Sequence, residues 1–339
     1  MIMRKYNVCI LGATGLVGSE MLRILVERNF PFSGLGLLAS SRTAGTEVEA
    51  AGRRLVVKDA DSEMFEGYDL ALFAGGEIAS SDYADRAVKA GCVVIDNSAH
   101  FRMREDVPLV VPEVNEDALC SHRGIISNPN CSTIQMVVVL KPLHDAAVVR
   151  RVVVSTYQAV AGTGKAALDE LRRQTRDLSE GREPSFSCYP HRIAFNLIPQ
   201  IGSFGENGYS SEEMKMILET RKIMGDDSVR VTATTVRVPV EIGHCESLNV
   251  ETVRPLSASE ARRILASAPG VSVADDPAAS VYPMPLDCAG RDSVFVGRIR
   301  EDLSRDNCLD MWIAADNLRK GAALNAVQIA ESLVRRNLV

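Results

Sequence analysis

No Cys-x-x-Cys pair and no other metal-ligand spacing occurs in this chain, although eight cysteines stand at 9, 92, 120, 131, 188, 245, 288 and 308. No metal site is expected, and scattered thiols of this kind suit a reduced, cytoplasmic compartment. A basic block is missing too: 38 Lys and Arg face 44 Asp and Glu, a net charge of -6. Nucleic acid and membrane surfaces are therefore poor candidates as partners. No apolar run approaches the ~18 residues that span a bilayer. The polar start, Met1 to Asn7, leads straight into a strand pattern, so no signal peptide is expected. Internal repeats and low-complexity segments are absent. What is present, 46% hydrophobic and 24% charged residues over 339 positions, is ordinary globular composition with room for two cores.

Short apolar strands alternate with helical patterns through the first 130 residues. Strands are expected at Asn7–Leu11, Leu35–Ala39, Arg53–Lys58, Leu70–Phe73 and Val93–Asp96, with helices at Leu16–Glu27 and Ser80–Ala90. That alternation predicts an α/β, Rossmann-like parallel sheet with helices on both faces. The second half has long strands rich in Val and Thr, at Val149–Ser155 and Val229–Val238, and an alternating one at Ser247–Thr252. These predict an α+β domain built on a mainly antiparallel sheet. Lys165–Asp177 reads as a helix and Ser179–Pro190 as a loop, while Arg319–Val339 reads as one amphipathic helix returning to the first domain. The expected division is residues 1–130 with 319–339, and residues 131–318.

Two stretches carry chemistry. Asn128-Pro129-Asn130-Cys131-Ser132-Thr133 precedes an apolar helix pattern and sets Cys131 at or beside a helix N-terminus. The open N–H groups there favour thiolate, the nucleophilic form; a buried structural cysteine is the alternative. Gly12-x-x-Gly15-x-x-Gly18 joins a strand to a helix, and small residues at that turn let a pyrophosphate approach the helix N-terminus. At the end of the second strand, where an NAD enzyme typically carries Asp or Glu, this chain has Ser40-Ser41-Arg42-Thr43. Two hydroxyls and a guanidinium suit a 2′-phosphate and favour NADP, with a solvated loop charge as the alternative for Arg42.

With these residues assembled, the chain resembles the aspartate-semialdehyde dehydrogenases over nearly its whole length. The resemblance rests on GATGLVG at 12–18, LASSRTAG at 38–45, DNSAHFRM at 96–103, VVPEVN at 110–115 and SNPNCST at 127–133. It continues in STYQAVAGTG at 155–164, EEMKMILETRKI at 212–223, RVPVEIGH at 237–244 and DNLRKGAALNAVQIAE at 316–331. It implies reversible, NADP-dependent reduction of 4-aspartyl phosphate to L-aspartate 4-semialdehyde, upstream of lysine, threonine, methionine and diaminopimelate. It also implies a homodimer or dimer of dimers.

Residue by residue, the resemblance makes Cys131 the nucleophile that forms a thioester. His244 becomes the acid/base, a neutral imidazole taking the hydroxyl proton of the hemithioacetal. Arg237 would hold the substrate α-carboxylate through paired hydrogen bonds, and Glu212 the amino group. Lys215 and Arg102 would neutralise phosphate, and Gln158 and Asn130 would lie beside the nucleophile. Glu212 and Lys215 share a helix face; an ordinary surface ion pair is the alternative. Gly12, Thr14, Gly15, Leu16 and Val17 join Ser40, Ser41, Arg42 and Thr43 as cofactor residues, with Gly162 and Asn317 toward the nicotinamide. His100, His122, His144 and His191 receive no role.

Two positions depart from many relatives. Ala161 replaces a serine, which removes a hydroxyl near the cofactor, and Cys245 replaces a serine after the acid/base, which suggests an oxidation-sensitive thiol. A related acyl-phosphate reductase, such as one acting on N-acetyl-glutamyl phosphate, is opposed by Glu212, since an acetylated nitrogen carries no charge to pair. A non-catalytic NADP-binding paralogue would have lost Cys131 or His244. A glyceraldehyde-phosphate-type dehydrogenase shares the chemistry but not these motifs.

Overall fold

The inner strands of the first sheet are parallel and buried on both sides, which is why they are continuous apolar runs rather than alternating ones, while the two strands at one edge are partly exposed. The computed structural model describes residues 4–50, 52–62 and 65–339. Its strands are β1 (Tyr6–Leu11), β2 (Phe32–Ala39), β3 (Glu47–Ala50), β4 (Arg53–Asp59), β5 (Leu70–Phe73), β6 (Val93–Asp96) and β7 (Ile125–Ser127). They lie in the order β3-β4-β2-β1-β5-β6-β7, with only β3 antiparallel to its neighbour. Helices α1 (Leu16–Glu27), α2 (Gly76–Lys89) and the short α3 (Pro112–Asn115) belong to this body. Strand order reverses at β1, between β2 and β5. In doubly wound sheets that reversal opens a crevice at the carboxyl ends of the strands.

The second body begins at Cys131. It opens with α4 (Cys131–Ala147), followed by β8 (Val149–Gln158), α5 (Lys165–Ser179), α6 (Ser211–Met224), β9 (Arg230–Arg237) and β10 (His244–Thr252). Then come α7 (Ala258–Ala266), β11 (Val271–Val273), α8 (Pro285–Cys288), β12 (Val294–Glu301) and β13 (Cys308–Ala315). The six strands run β11-β12-β13-β10-β8-β9. β10 is antiparallel to both β8 and β13, and β12 to β13, while β8 pairs with β9 and β11 with β12 in parallel. Sequence alternation cannot reveal those two parallel pairings. α4 is buried almost all round from Ser132 to Leu140, as a helix apolar on every face must be. Among the described residues, no helix is long and apolar enough to cross a membrane.

The last segment corrects the sequence expectation. Arg319–Ala323 forms a π-helical turn, and only then does α9 (Leu324–Arg335) begin. The carboxylate of Asp316 accepts the N–H groups of Leu318 (2.8 Å) and Arg319 (3.0 Å), and Gly321 N–H reaches back to the Asp316 carbonyl (3.1 Å). Arg319–Gly321 stay with the second body and Ala322 begins the return to the first, so the division falls after Gly321, within the turn. α9 belongs to the first body, where Leu324, Val327, Ile329, Ala330 and Leu333 complete one core cluster with β1 and α1. Arg28 clamps Glu331 with two bonds of 2.7 and 2.8 Å. Asn325, fully buried, donates to the Val110 carbonyl (2.9 Å) and to Asn128 Oδ1 (2.7 Å). Asn325→Ala should cost about 1–3 kcal/mol by leaving buried acceptors unpaired; urea unfolding with an unchanged midpoint would show that these bonds carry no net stability.

Candidate active site

In the first body, the crevice at the strand-order reversal is a cleft of about 250 Å³ lined by Leu11, Gly12, Thr14, Gly15, Ala39, Ser40, Arg42, Thr43, Ala74, Gly75 and neighbours. Gly12 has φ +85°, and a Cβ there would stand 2.7 Å from the Ala74 backbone; a Cβ on Gly18 would meet the Gly12 carbonyl at 2.2 Å. Only glycine lets the loop cross both strands and lets α1 sit this close. α1 has no side-chain cap and no acidic residue in its first turn, so its open N–H groups can receive an anion. Thr14 and Thr43 hydroxyls lie 3.3 Å apart. Leu16 and Val17 occupy the first turn of α1 and, like Ser41, are not on the cleft wall. No Asp or Glu lines the cleft among the described residues. The glycine cradle, the uncapped helix and the Arg42 wall fit a dinucleotide.

Arg102 lies in the same body, 7% exposed, donating to the carbonyls of Asn128 (3.0 Å) and Asn97 (2.8 Å). Asn130 is buried at the end of the loop before α4.

The second body gathers the other candidates at one end of its sheet. Parallel register sets Gln158 opposite Arg237, the last residues of β8 and β9. β10 runs the other way and starts there with His244, paired to Ala315 at the end of β13. Asn317 follows two residues later, and its Oδ1 accepts the Gly243 N–H at 2.9 Å. That bond orients the loop entering His244, a structural duty that the sequence reading did not assign. Gln158 Nε2 reaches Thr156 Oγ1 and Glu212 Oε1, both at 3.3 Å, and Lys215 Nζ lies 3.3 Å from Glu212 Oε2. Glu212 is 6% exposed, so this is not the surface ion pair that helical spacing alone permits. α6 holds it in place through a Ser210–Glu213 capping box, with Glu213 also accepting the Thr235 N–H of β9 at 2.9 Å.

Cys131 is the first residue of α4 and is partly exposed. An added Cβ on Gly321 would stand 3.0 Å from the Cys131 Cβ, so the π turn packs directly beside the nucleophile candidate. His244 is wholly buried, and burial together with the Arg237 charge holds its imidazole well below the usual range, hence neutral. A Cβ on Gly162 would come within 3.0 Å of Arg237 Nη1 and 3.1 Å of His244 Nε2, so glycine keeps both groups open. Ala161 contributes its backbone, the N–H bonding the Glu241 carbonyl at 3.1 Å. Cys245 corrects the expectation of an oxidation-sensitive thiol. It is 1% exposed beside Cys288 and Ala314, and burial pushes its thiol far up, away from the reactive thiolate.

Sequence reasoning missed Gln135 and Glu246. Gln135 stands one turn beyond Cys131, Glu246 two residues beyond His244, and they join by a buried bond of 2.7 Å. Those spacings, i+4 on a helix and i+2 on a strand, were the available signal. Burial raises Glu246 well above the ordinary carboxyl range despite the Gln135 bond. Its folded pKa exceeds the unfolded one, so the stability it contributes is present below about 4.5 and is lost as pH rises toward the folded value. Glu246→Gln should therefore gain in melting temperature over the parent as pH increases; a difference constant with pH would mean that Glu246 is not held protonated.

Two family models cover the chain: "Semialdehyde dehydrogenase, NAD binding domain" over residues 7–122 and "Semialdehyde dehydrogenase, dimerisation domain" over 140–320. The aspartate-semialdehyde dehydrogenase of Aquifex aeolicus is 53% identical over 98% of this chain and 99% of its own. The crystal structure of aspartate semialdehyde dehydrogenase II from Vibrio cholerae complexed with ASA is 46% identical, with a TM-score of 0.96 over 98% of this chain and 99% of that one. The Candida albicans enzyme, crystallised with NADP, is 25% identical with a TM-score of 0.77, covering 99% of this chain and all of that one.

Proposed function

The chain belongs to the aspartate-semialdehyde dehydrogenase family, oxidoreductases of amino-acid biosynthesis that act on an aldehyde and use a nicotinamide cofactor, and we propose that it reduces 4-aspartyl phosphate with NADPH through a thioester on Cys131. The observation that carries this reading is the convergence of Gln158, Arg237 and His244 at one sheet end, in the body that begins with Cys131.

In the reductive direction, Cys131 as thiolate attacks the acyl phosphate and forms the S–C bond as phosphate leaves with the C–O pair. Cys131 is the first residue of α4, and the positive end of the helix dipole there supports the thiolate. Arg237, whose Nε is buried without a partner, receives the substrate α-carboxylate. Glu212 takes the amino group, Lys215 and Arg102 the phosphate, and Gln158 and Asn130 the acyl group. His244 serves the reacting oxygen from Nε2. When bound, the nicotinamide cofactor supplies the hydride equivalent. Gly12, Thr14 and Gly15 would hold its pyrophosphate side, Ser40, Arg42 and Thr43 its 2′-phosphate, and Gly162 and Asn317 its nicotinamide end. Dimerisation follows the matched dimerisation domain, and the working form is a homodimer in the cytoplasm.

The direct test follows NADPH formation from L-aspartate semialdehyde and phosphate. Phosphate-dependent turnover should be present in the native chain and fall by at least about a thousandfold in Cys131→Ser; turnover in that variant near the native level would remove the thioester. Arg42→Ala should weaken NADP by on the order of tenfold or more and leave NAD affinity nearly unchanged. Equal losses for the two cofactors in fluorescence titrations would take Arg42 off the 2′-phosphate.

A further inference from the structure

Two side chains of the candidate site close on the backbone of one residue. The Ala159 N–H donates to His244 Nδ1 at 3.0 Å, and the Ala159 carbonyl accepts from Arg237 Nη1 at 2.7 Å, both bonds buried. The two peptide groups that flank this residue are themselves held. Val238 N–H bonds the Gln158 carbonyl at 3.0 Å, and Val160 N–H bonds the Val240 carbonyl at 2.9 Å. Ala159 has φ -62° and ψ 150°, relaxed extended backbone. Its N–H cannot turn away without breaking the sheet end.

A neutral imidazole has one N–H and one in-plane lone pair. A backbone N–H only donates, so the nitrogen facing it carries the lone pair. The ring proton is then on Nε2. An imidazolium would oppose two N–H groups across 3.0 Å, and burial with the Arg237 charge disfavours it further. Nε2 is buried and has no partner in the protein; it faces the space that Gly162 leaves beside Arg237. A buried N–H without an acceptor costs about 1–3 kcal/mol, so this position favours a ligand that brings an oxygen.

We infer that the Ala159 N–H is a positioning group that fixes His244 as its Nε2–H tautomer, and that His244 acts on the reacting carbonyl as a hydrogen-bond donor rather than as a base. The identity of that carbonyl rests on the thioester reading above. The electrons balance without a base. As the Cys131 thiolate adds to the carbonyl carbon, the sulfur pair becomes the S–C bond and the C=O π pair moves to oxygen. Charge passes from sulfur to oxygen and no proton is released. What this step needs is a donor preorganised at the oxygen, and Nε2–H is one. The base role expected from sequence required a lone pair at Nε2, which this tautomer does not have.

The first test needs no substrate and so stands apart from the functional reading. Protein labelled with 15N-histidine is examined near neutral pH by long-range proton–nitrogen correlation, with His244 assigned by the signals lost in His244→Gln. A hydrogen on Nε2 and a bare Nδ1 are expected; a hydrogen on Nδ1, alone or together with Nε2, overturns the inference. The second test compares two folded variants in steady-state turnover. Glutamine can accept from the Ala159 N–H through its carbonyl and donate through its amide. His244→Gln should therefore retain at least about tenfold more kcat than His244→Ala, which should lose a hundredfold or more. Equal losses would overturn the donor role.

Discussion

The parallel pairing of β8 with β9 is the constraint on which the catalytic half of this protein rests. Antiparallel order throughout would have sent the carboxyl ends of these two strands to opposite edges of the sheet. Parallel register instead brings Gln158 level with Arg237, and the antiparallel neighbour β10 then enters at that same edge with His244. Three side chains distant in sequence become neighbours because one strand pair departs from the prevailing direction. A parallel crossover needs a long connection, and the segment from Val160 through α6 supplies it while carrying Glu212 and Lys215.

The same edge is costly to build. Glu212, Glu246, Arg237 and His244 are all at most 6% exposed, and buried ionisable groups are tolerated only when bonded or neutralised. The protein uses both routes. Glu212 is bonded to Gln158 and Lys215. Glu246 is neutralised and tied to Gln135, which links β10 to the helix that begins with Cys131. Among the described residues, Gln135 Oε1 and Glu246 Oε2 still lack a protein partner, and so do Arg237 Nε and His244 Nε2, whose residues are the ones proposed to meet the substrate. Binding of a carboxylate and a carbonyl oxygen would satisfy the last two, so substrate affinity can draw on a penalty already present in the folded protein.

In the first body the governing limit is steric. The carbonyls around Gly12 and Gly18 leave no room for a Cβ, and this lets a loop, two strand ends and an uncapped helix share one cleft. The glycine turn was legible because that geometry has a residue-type signature. The place of Arg42 on the cleft wall was legible from its position at the end of the second strand. Ser41, Leu16 and Val17 share the segment but not the cleft wall: sequence adjacency names a loop, and the path of the backbone decides which residues face inward.

The sequence by itself determined the period-two and helical patterns, the glycine turn, the cysteine before an apolar helix and the motif set that marks the family, because each depends on local spacing or residue type. It could not determine the parallel β8–β9 pair, since one strand alternates alike in either direction. Nor could it determine that Asp316 and Gly321 would hold back the start of α9, that Glu246 would meet Gln135, or that Cys245 would be sealed beside Cys288. The tautomer of His244 belongs with these. A histidine's two nitrogens are equivalent in sequence, and only a backbone N–H arriving from 85 residues away makes them different.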